Sequence, residues 1–286
     1  MAHARMTIAA LAATIAAAVF ALPAVRSGAQ PAAPLPGAKP KMMENCPGLV
    51  ARNETPRVLP ASLKGDEVRI SYAGHSTFMV ESPGGIKIAT DYNDYVKPRA
   101  LPDIATMNHA HSTHFTDFPD PSIKHVLRGW GTSPDKPARH DVTVGDVRVR
   151  NVPTNIRSWM DGGTERHGNS IFIFEIANMC IAHLGHLHHT LNQQQLNEIG
   201  RIDAVMVPVD GGVTLDMNGM IEVLESLKSP LMIPMHYFST YSLQRFLGVL
   251  GEKSFAVEFS NTPSVVISKT TLPTSPKVLV LPGRAF

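Results

Sequence analysis

Three histidine-rich segments constrain this chain most strongly, because each begins where a short apolar run ends. They cover residues 109–114, with three histidines, 183–189, with four, and 233–237, with one. A single buried histidine is usually a hydrogen-bonded core residue, but three such segments at strand ends are difficult to explain in that way. Because imidazole is the commonest metal ligand in proteins, the pattern predicts a metal site built from strand ends.

Alternating and apolar runs predict strands along most of the chain, with helical patterns between the later strands. We expect strands at residues 68–72, 77–81, 86–90, 104–108, 125–128, 142–144, 147–151, 171–176, 179–184, 202–207 and 231–234. We expect helices at 191–199, capped by Thr190, at 217–227, capped by Asp216, and at 242–250. This order predicts two stacked sheets covered by helices.

Composition excludes several classes of protein. Hydrophobic residues make up 43% of the 286 residues, which is too many for an intrinsically disordered chain and enough for a large core. With only 2 cysteines, the chain cannot form a zinc site of four thiolates or a miniprotein held by several disulfides. The 13 histidines are therefore the main candidates for metal ligands.

The first 29 residues have the pattern of a secretory signal peptide. A short region containing Arg5 precedes an uncharged apolar run at 7–22, and small residues follow at 27–29. A membrane anchor is the alternative, but an alanine-rich run of 16 residues is marginal for a membrane span. We predict export to the periplasm or the medium, without stable membrane association after cleavage.

The charge of the exported chain argues against nucleic acid as its main partner. Removing residues 1–29 takes away Arg5 and Arg26 and no acidic residue, so the formal charge falls from +2 to zero. We expect a small-molecule substrate, and the pattern leaves the oligomeric state open. In an oxidising compartment, Cys46 and Cys180 either pair or remain separate.

The sequence divides into four parts by its proline content and its apolar patterning. They are the signal peptide at 1–29, a proline-rich linker and N-terminal extension at 30–64, the main domain at 65–269 and a proline-rich C-terminal tail at 270–286. We expect the tail to be loose or to lie as a strap over the domain.

Residues 68–251 resemble the metallo-β-lactamase superfamily, in particular the branch of bacterial L-ascorbate-6-phosphate lactonase. Segments 74–77 and 82–85 are similar to that branch's opening hairpin, and 88–91 to the strand whose last residue, an aspartate, supports the site. Segment 109–114 resembles the His-x-His-x-Asp-His signature, 183–186 the segment with a bridging aspartate, and 233–236 the segment with the last ligand. The resemblance implies an α+β fold, a four-layer αββα sandwich with its site at one edge of the two sheets.

Two departures from the family pattern remove carboxylates from the site. Thr113 stands where the signature has aspartate, and His186 stands where the bridging aspartate is expected. A further histidine ligand has no clear counterpart at 152–157, with His167 as a distant stand-in. Because carboxylates offset the repulsion between two close divalent ions, we predict one metal ion. Imidazole ligands favour zinc, with iron, copper or nickel as alternatives.

The resemblance and the residue pattern together give a candidate site. The predicted metal ligands are His109, His111, His114, His186 and His236, of which three or four bind the ion. Asp91 is expected to orient a ligand histidine. The missing carboxylate base is replaced by Asp91, Asp210, His188 or His189, and the sequence does not choose among them.

Other side chains near the three segments have less defined predicted roles. Tyr237 either polarises a substrate oxygen or packs in the core, and His75 either lines the pocket or caps its hairpin. We expect His183 to be structural.

We therefore predict an exported metal-dependent hydrolase. A hydroxide on the metal would attack an ester, lactone, amide or phosphoester bond. Two alternatives remain open: a periplasmic metal-binding or sensor protein without catalysis, and a metal-dependent oxidoreductase on the same fold.

Overall fold

The computed structural model describes residues 63–133, 135–158, 162–251, 253 and 255–283. The predicted signal peptide, nearly all of the extension at 30–64, and Cys46 lie outside the described residues. Cys180 is disulfide-bonded, and Cys46 is the only other cysteine of the chain.

Seventeen helices and strands make up the described part of the chain. The strands are β1 (Val68–Gly74), β2 (Thr77–Glu81), β3 (Lys87–Ala89), β4 (Ile104–Met107), β5 (His125–Arg128), β6 (Asp141–Val144), β7 (Val147–Arg157), β8 (Thr164–Ile176), β9 (Met179–His183), β10 (Ala204–Pro208), β11 (Leu231–Met235), β12 (Ala256–Phe259), β13 (Ser264–Ile267) and β14 (Lys277–Val280). The helices are α1 (Gln193–Ile199), α2 (Met217–Leu227) and α3 (Thr240–Gly251).

The strands form two mixed sheets, and each sheet has a parallel region. The six-stranded sheet has the order β13-β1-β2-β3-β4-β5, with β3, β4 and β5 parallel. The eight-stranded sheet has the order β12-β14-β11-β10-β9-β8-β7-β6, with β9, β10 and β11 parallel. Since parallel strands end at the same edge of their sheet, the segments that follow β3, β4, β9, β10 and β11 are placed to meet.

Strand alternation separates two apolar layers. In β8, Phe172 and Phe174 face the layer between the sheets, while Ile171 and Ile173 face a second layer under the helices. This period of two is the geometry of a pleated strand with both faces buried. All three described helices pack on the second layer.

Loop residues, not helices, cover the outer face of the six-stranded sheet in the described part of the chain. A small cluster there includes Tyr92, Met107 and Ile123, with Phe115 and Trp130 packed against it. The predicted stacked sheets are present, and this face has a thinner covering than the implied four layers.

Several elements differ from those the sequence predicts. Strands β7 and β8 are longer than predicted, and β12 and β13 lie where no strand is predicted. Helix α1 begins after Asn192 rather than after Thr190, because Asn192 and Gln195 form a reciprocal capping box. The predicted tail at 270–286 is not loose over its whole length, since it contributes β14, which pairs with β11 and β12. The short apolar run of β14 lies among proline residues, which weaken the local signal for a strand. Asp216 caps α2 as predicted.

None of the described helices combines the length and the apolar character that crossing a bilayer requires.

Candidate metal centre

Five histidines from four separate segments meet at the edge where the parallel strands end. His75 follows β1, His111 and His114 follow β4, His186 follows β9, and His236 follows β11. Their rings form a continuous set of contacts, with centroid separations between 4.3 and 5.9 Å. We call these five residues the histidine cluster. Four of the five predicted ligands belong to it, and so does His75.

Ring nitrogens in the histidine cluster lie at the spacing expected for ligands of one metal ion. The Nε2 atoms of His114 and His236 are 3.2 Å apart, and so are those of His111 and His186. Zinc–nitrogen bonds of about 2.0–2.1 Å in a tetrahedron place two ligand nitrogens about 3.3 Å apart. Candidate ligand atoms of His75, His111, His114 and His236 all lie within 4.8 Å of one another.

Two buried carboxylates hold the rings of His114 and His236 from behind. His114 Nδ1 lies 2.5 Å from Asp91 Oδ2, and His236 Nδ1 lies 3.0 Å from Asp210 Oδ2. While both carboxylates are ionised, each Nδ1–H donates to its carboxylate, and each Nε2 keeps its lone pair. Two lone pairs that face each other at 3.2 Å repel, and a cation between them relieves that repulsion.

Burial keeps four imidazoles of the histidine cluster, those of His75, His111, His114 and His186, in the neutral form that binds metal. Burial, with His236 and His111 nearby, lowers the pKa of His75 to about 3. Burial and His236 lower the pKa of His111 to about 4. Burial and the neighbouring histidines also hold the pKa of His114 and that of His186 well below the ordinary value. At neutral pH these four imidazoles are therefore uncharged, and each can donate a nitrogen lone pair to a metal ion.

The two supporting carboxylates have pKa values that shift in opposite directions. Burial raises the pKa of Asp91, which lies fully inside the protein. Burial also acts to raise the pKa of Asp210, but hydrogen bonds from His236, Thr214 and Gly212 outweigh it and lower that pKa. A cation between the Nε2 atoms of His114 and His236 would favour the ionised form of both carboxylates.

The backbone adopts uncommon conformations to bring these groups together. His75, Asp91 and His236 have φ values of 51°, 41° and 55°, in the left-handed region that few residues other than glycine enter. Such conformations cost free energy and are concentrated at functional sites. Gly185, with φ of 60°, is required for a second reason: a Cβ there would lie 2.4 Å from both Asn108 Nδ2 and Asn169 Oδ1.

His109, a predicted ligand, does not join the histidine cluster. Its Nδ1 lies 3.0 Å from Glu165 Oε1, and its ring packs 5.2 Å from Trp130 and 5.4 Å from Phe115. The backbone N–H of His109 donates to Gly168 O and fixes the residue beside β8. The imidazole then faces the aromatic cluster on the outer side of the six-stranded sheet.

Two predicted catalytic side chains also have other contacts. The Nε2 atom of His189 accepts the backbone N–H of Asn155, and its Nδ1 lies 2.8 Å from Thr190 O, so both ring nitrogens are used. Tyr237 packs against Tyr72, with ring centroids 6.4 Å apart. A catalytic role for His189 would require one of these hydrogen bonds to break, and a catalytic role for Tyr237 stays a prediction.

The candidate bases Asp91 and Asp210 also accept several hydrogen bonds within the protein. Asp91 also accepts a hydrogen bond from Asn108 Nδ2. Asp210 accepts backbone N–H groups and the Thr214 hydroxyl besides His236. His188 differs: its ring lies 4.9 Å from that of His186, and its buried Nδ1 has no hydrogen-bond partner within the described residues.

His75 and Thr113 lie closer to the other histidine rings than the sequence predicts. The Thr113 hydroxyl lies 2.8 Å from both His75 Nε2 and His111 Nδ1, so it connects two rings of the histidine cluster. A histidine directly after strand β1 was the available signal, but it stood alone in its segment. His183, predicted to be structural, is buried with Nε2 against Ser76 O. His167 lies on β8 and is not part of the histidine cluster.

An aromatic side chain borders the histidine cluster on the solvent side. Phe238 is 61% exposed, and its ring lies 5.1 Å from His236 and 5.6 Å from His75. The arrangement leaves a buried, neutral, imidazole-lined centre next to an exposed apolar surface. Such a centre fits a divalent transition-metal ion through its donor set, its Nε2 spacing and its two supporting carboxylates.

A family model matches the part of the chain that contains this centre. Residues 69–236 match the model described as the beta-lactamase superfamily domain. That range includes every member of the histidine cluster and both supporting carboxylates.

Relatives with known names are similar to more than half of this chain. A UPF0173 metal-dependent hydrolase of Thermoplasma volcanium is 25% identical over 190 residues, covering 60% of this chain and 84% of the relative. One from Methanoculleus marisnigri is 26% identical over 183 residues, covering 59% and 81%. A crystal structure from Thermotoga maritima, assigned as a Zn-dependent hydrolase of the metallo-β-lactamase superfamily, is 27% identical with a TM-score of 0.54, covering 76% of this chain and all of that one.

Proposed function

The chain belongs to the β-lactamase superfamily, and from this premise we propose that it is an exported metal-dependent hydrolase with one zinc ion. The proposed substrates are small molecules with an ester, lactone, amide or phosphoester bond. The names of the relatives from Thermoplasma volcanium and Methanoculleus marisnigri support metal dependence and hydrolysis.

One observation carries the proposal: the facing Nε2 atoms of His114 and His236, each ring held by a buried carboxylate. Neutral imidazoles with a hydrogen-bonded Nδ1 are the usual form of histidine ligands. A divalent metal bound there would acidify a coordinated water and polarise the substrate oxygen. The protein contributes fixed rings, a dry interior behind them and an open side at Phe238.

Charge favours one ion over two. The two positions where the family has carboxylates are occupied by Thr113 and His186, which are neutral at neutral pH. Asp91 and Asp210 support histidine rings from behind rather than lying between candidate ligand atoms. A second divalent ion close to the first would therefore lack the negative charge that offsets mutual repulsion.

Export rests on separate support. The segment 1–29 has the pattern of a signal peptide, and Cys180 is disulfide-bonded, as is usual in oxidising compartments. Expression of the full chain in a bacterial host, followed by fractionation and N-terminal sequencing, tests this. We expect a periplasmic protein that begins after Ala29. A cytoplasmic protein that retains residues 1–29 would overturn the export proposal alone.

Metal analysis and a hydrolysis screen test the enzymatic proposal. The mature chain should bind one zinc per molecule and turn over at least one activated substrate in a panel of esters, lactones, amides and phosphoesters. His114→Ala should abolish turnover and metal retention, while His125→Ala, at the start of β5 outside the histidine cluster, should change neither.

Other outcomes of the same experiment identify the two alternatives. Tight metal binding without turnover on any substrate would support a binding or sensor protein. Bound iron with substrate-dependent oxygen consumption would support an oxidoreductase.

A further inference from the structure

We propose that His75 replaces His109 as a metal ligand, so that the ion is held by His75, His111, His114 and His236, with His186 beside them. The inference rests on the proposed metal-dependent function and concerns which residues make the site. It assigns a ligand to the first hairpin, a segment outside the three histidine-rich segments. The geometry around the two residues differs in three respects.

His75 is fixed next to the other ligands by its backbone. Its carbonyl oxygen accepts hydrogen bonds from the backbone N–H of His236 and from the Tyr72 hydroxyl, each at 2.8 Å. The first bond ties the hairpin after β1 directly to the ligand segment after β11. The His75 ring consequently lies 4.3 Å from that of His236 and is almost fully buried.

Thr113 connects the His75 ring to the ring of His111. Its hydroxyl lies between His75 Nε2 and His111 Nδ1 at 2.8 Å from each. One hydroxyl can donate to one of these nitrogens while it accepts from the other. The residue that stands where the family has a carboxylate therefore couples His75 to a ligand histidine instead of supplying charge.

His109 has the opposite surroundings. Its side chain is 44% exposed and that of its partner, Glu165, is 41% exposed. The aromatic rings of Phe115 and Trp130 pack against its ring. Moving it to the histidine cluster would break these contacts and the bond from its backbone to Gly168. His75 needs no such movement, because its candidate ligand atom already lies within 4.8 Å of those of three histidines.

Matched substitutions test the exchange without measuring activity. His75→Asn and His109→Asn are compared in the mature chain, and asparagine suits the first position because it tolerates positive φ. Zinc affinity is measured by competition with a chromogenic chelator. The absorption spectrum of the Co²⁺-substituted protein reports on ligand number. Circular dichroism and thermal melting of the metal-free variants show whether each has folded.

We expect His75→Asn to weaken zinc binding at least about tenfold, because even the loss of a group that only orients a ligand costs roughly 10–100-fold. Its Co²⁺ spectrum should also change, whereas His109→Asn should match the wild type in both measurements. Wild-type affinity in His75→Asn, or a loss only in His109→Asn, would overturn the exchange while leaving the metal-dependent function intact. If His75→Asn does not fold, the His109→Asn arm still decides, since weakened zinc binding there overturns the exchange. A wild-type chain that retains no metal would overturn both.

Discussion

His114 and His109 come from one segment after β4, and each has a carboxylate beside its Nδ1, yet they lie in different environments. His114 and Asp91 are completely buried, while the side chains of His109 and Glu165 are 44% and 41% exposed. Both pairs join a histidine Nδ1 to a carboxylate oxygen. What differs is the surrounding medium and the number of other imidazoles nearby.

The comparison shows that a carboxylate–histidine pair is not by itself a metal site. An exposed pair is screened by water and contributes little to stability. A buried pair is costly to break, because the remaining partner loses its only compensation. Only the buried pair turns an Nε2 atom toward another Nε2 atom, that of His236. Burial and convergence together, rather than pairing, mark the functional region.

The largest expected effect comes from Asp91→Ala, which removes the buried half of the comparison. His114 Nδ1 and Asn108 Nδ2 would lose their acceptor in a site without solvent. We expect the free energy of unfolding to fall by about 3 kcal/mol, because each buried donor left without an acceptor costs roughly 1–3 kcal/mol. Zinc affinity should fall by roughly 10–100-fold or more. Urea unfolding of the metal-free chain and chelator competition measure the two effects.

Asp91→Asn is the control for this prediction, since it keeps the shape and an acceptor oxygen. It should lose less stability than Asp91→Ala but should still weaken zinc binding. Equal stability of Asp91→Ala and the wild type would show that this pair is not a structural element of the site.

An intermediate effect is expected from pH, because buried imidazoles of the histidine cluster have lowered pKa values. The pKa is lowered to about 3 for His75 and to about 4 for His111, largely by burial. An unfolded histidine has a pKa of about 6.5. Between pH 6.5 and about 4 the unfolded chain therefore binds more protons, so stability falls as pH falls.

Urea unfolding of the metal-free chain at pH 7 and pH 5 measures this dependence. We expect a decrease of at least about 1.4 kcal/mol, the amount that one such histidine contributes per pH unit. His75→Asn should have a shallower dependence than the wild type. A free energy of unfolding that stays constant over this interval would contradict the burial of neutral imidazoles.

The sequence predicts the positions of strand ends better than the directions of side chains. Four predicted ligands meet as expected because apolar runs reveal where β4, β9 and β11 end. The orientation of His109 was not predictable, since it depends on Glu165, which is 56 residues away in sequence. His75 was not assigned because a single histidine after a strand has many structural explanations.

The same limit applies to the fold. The sequence predicts the turn of the β8–β9 hairpin, because Ala177 and Asn178, both with positive φ, form a tight turn between alternating strands. It does not predict that β8 begins at Thr164 rather than at Ile171. Strand β14 was missed because its four residues lie among prolines and are stabilised by pairing with β11 and β12. Elements that depend on distant partners carry a weak local signal.

The smallest expected effect comes from Glu165→Gln, which alters the exposed half of the comparison. Glutamine keeps an oxygen that can accept from His109 Nδ1, and water screens the lost charge. We expect a change of less than about 0.5 kcal/mol in the free energy of unfolding and an unchanged zinc content. Urea unfolding and metal analysis, with Asp91→Ala measured alongside, give the contrast directly. If Glu165→Gln reduced zinc retention as Asp91→Ala is expected to do, His109 would belong to the metal centre in solution, and burial would no longer separate the two regions.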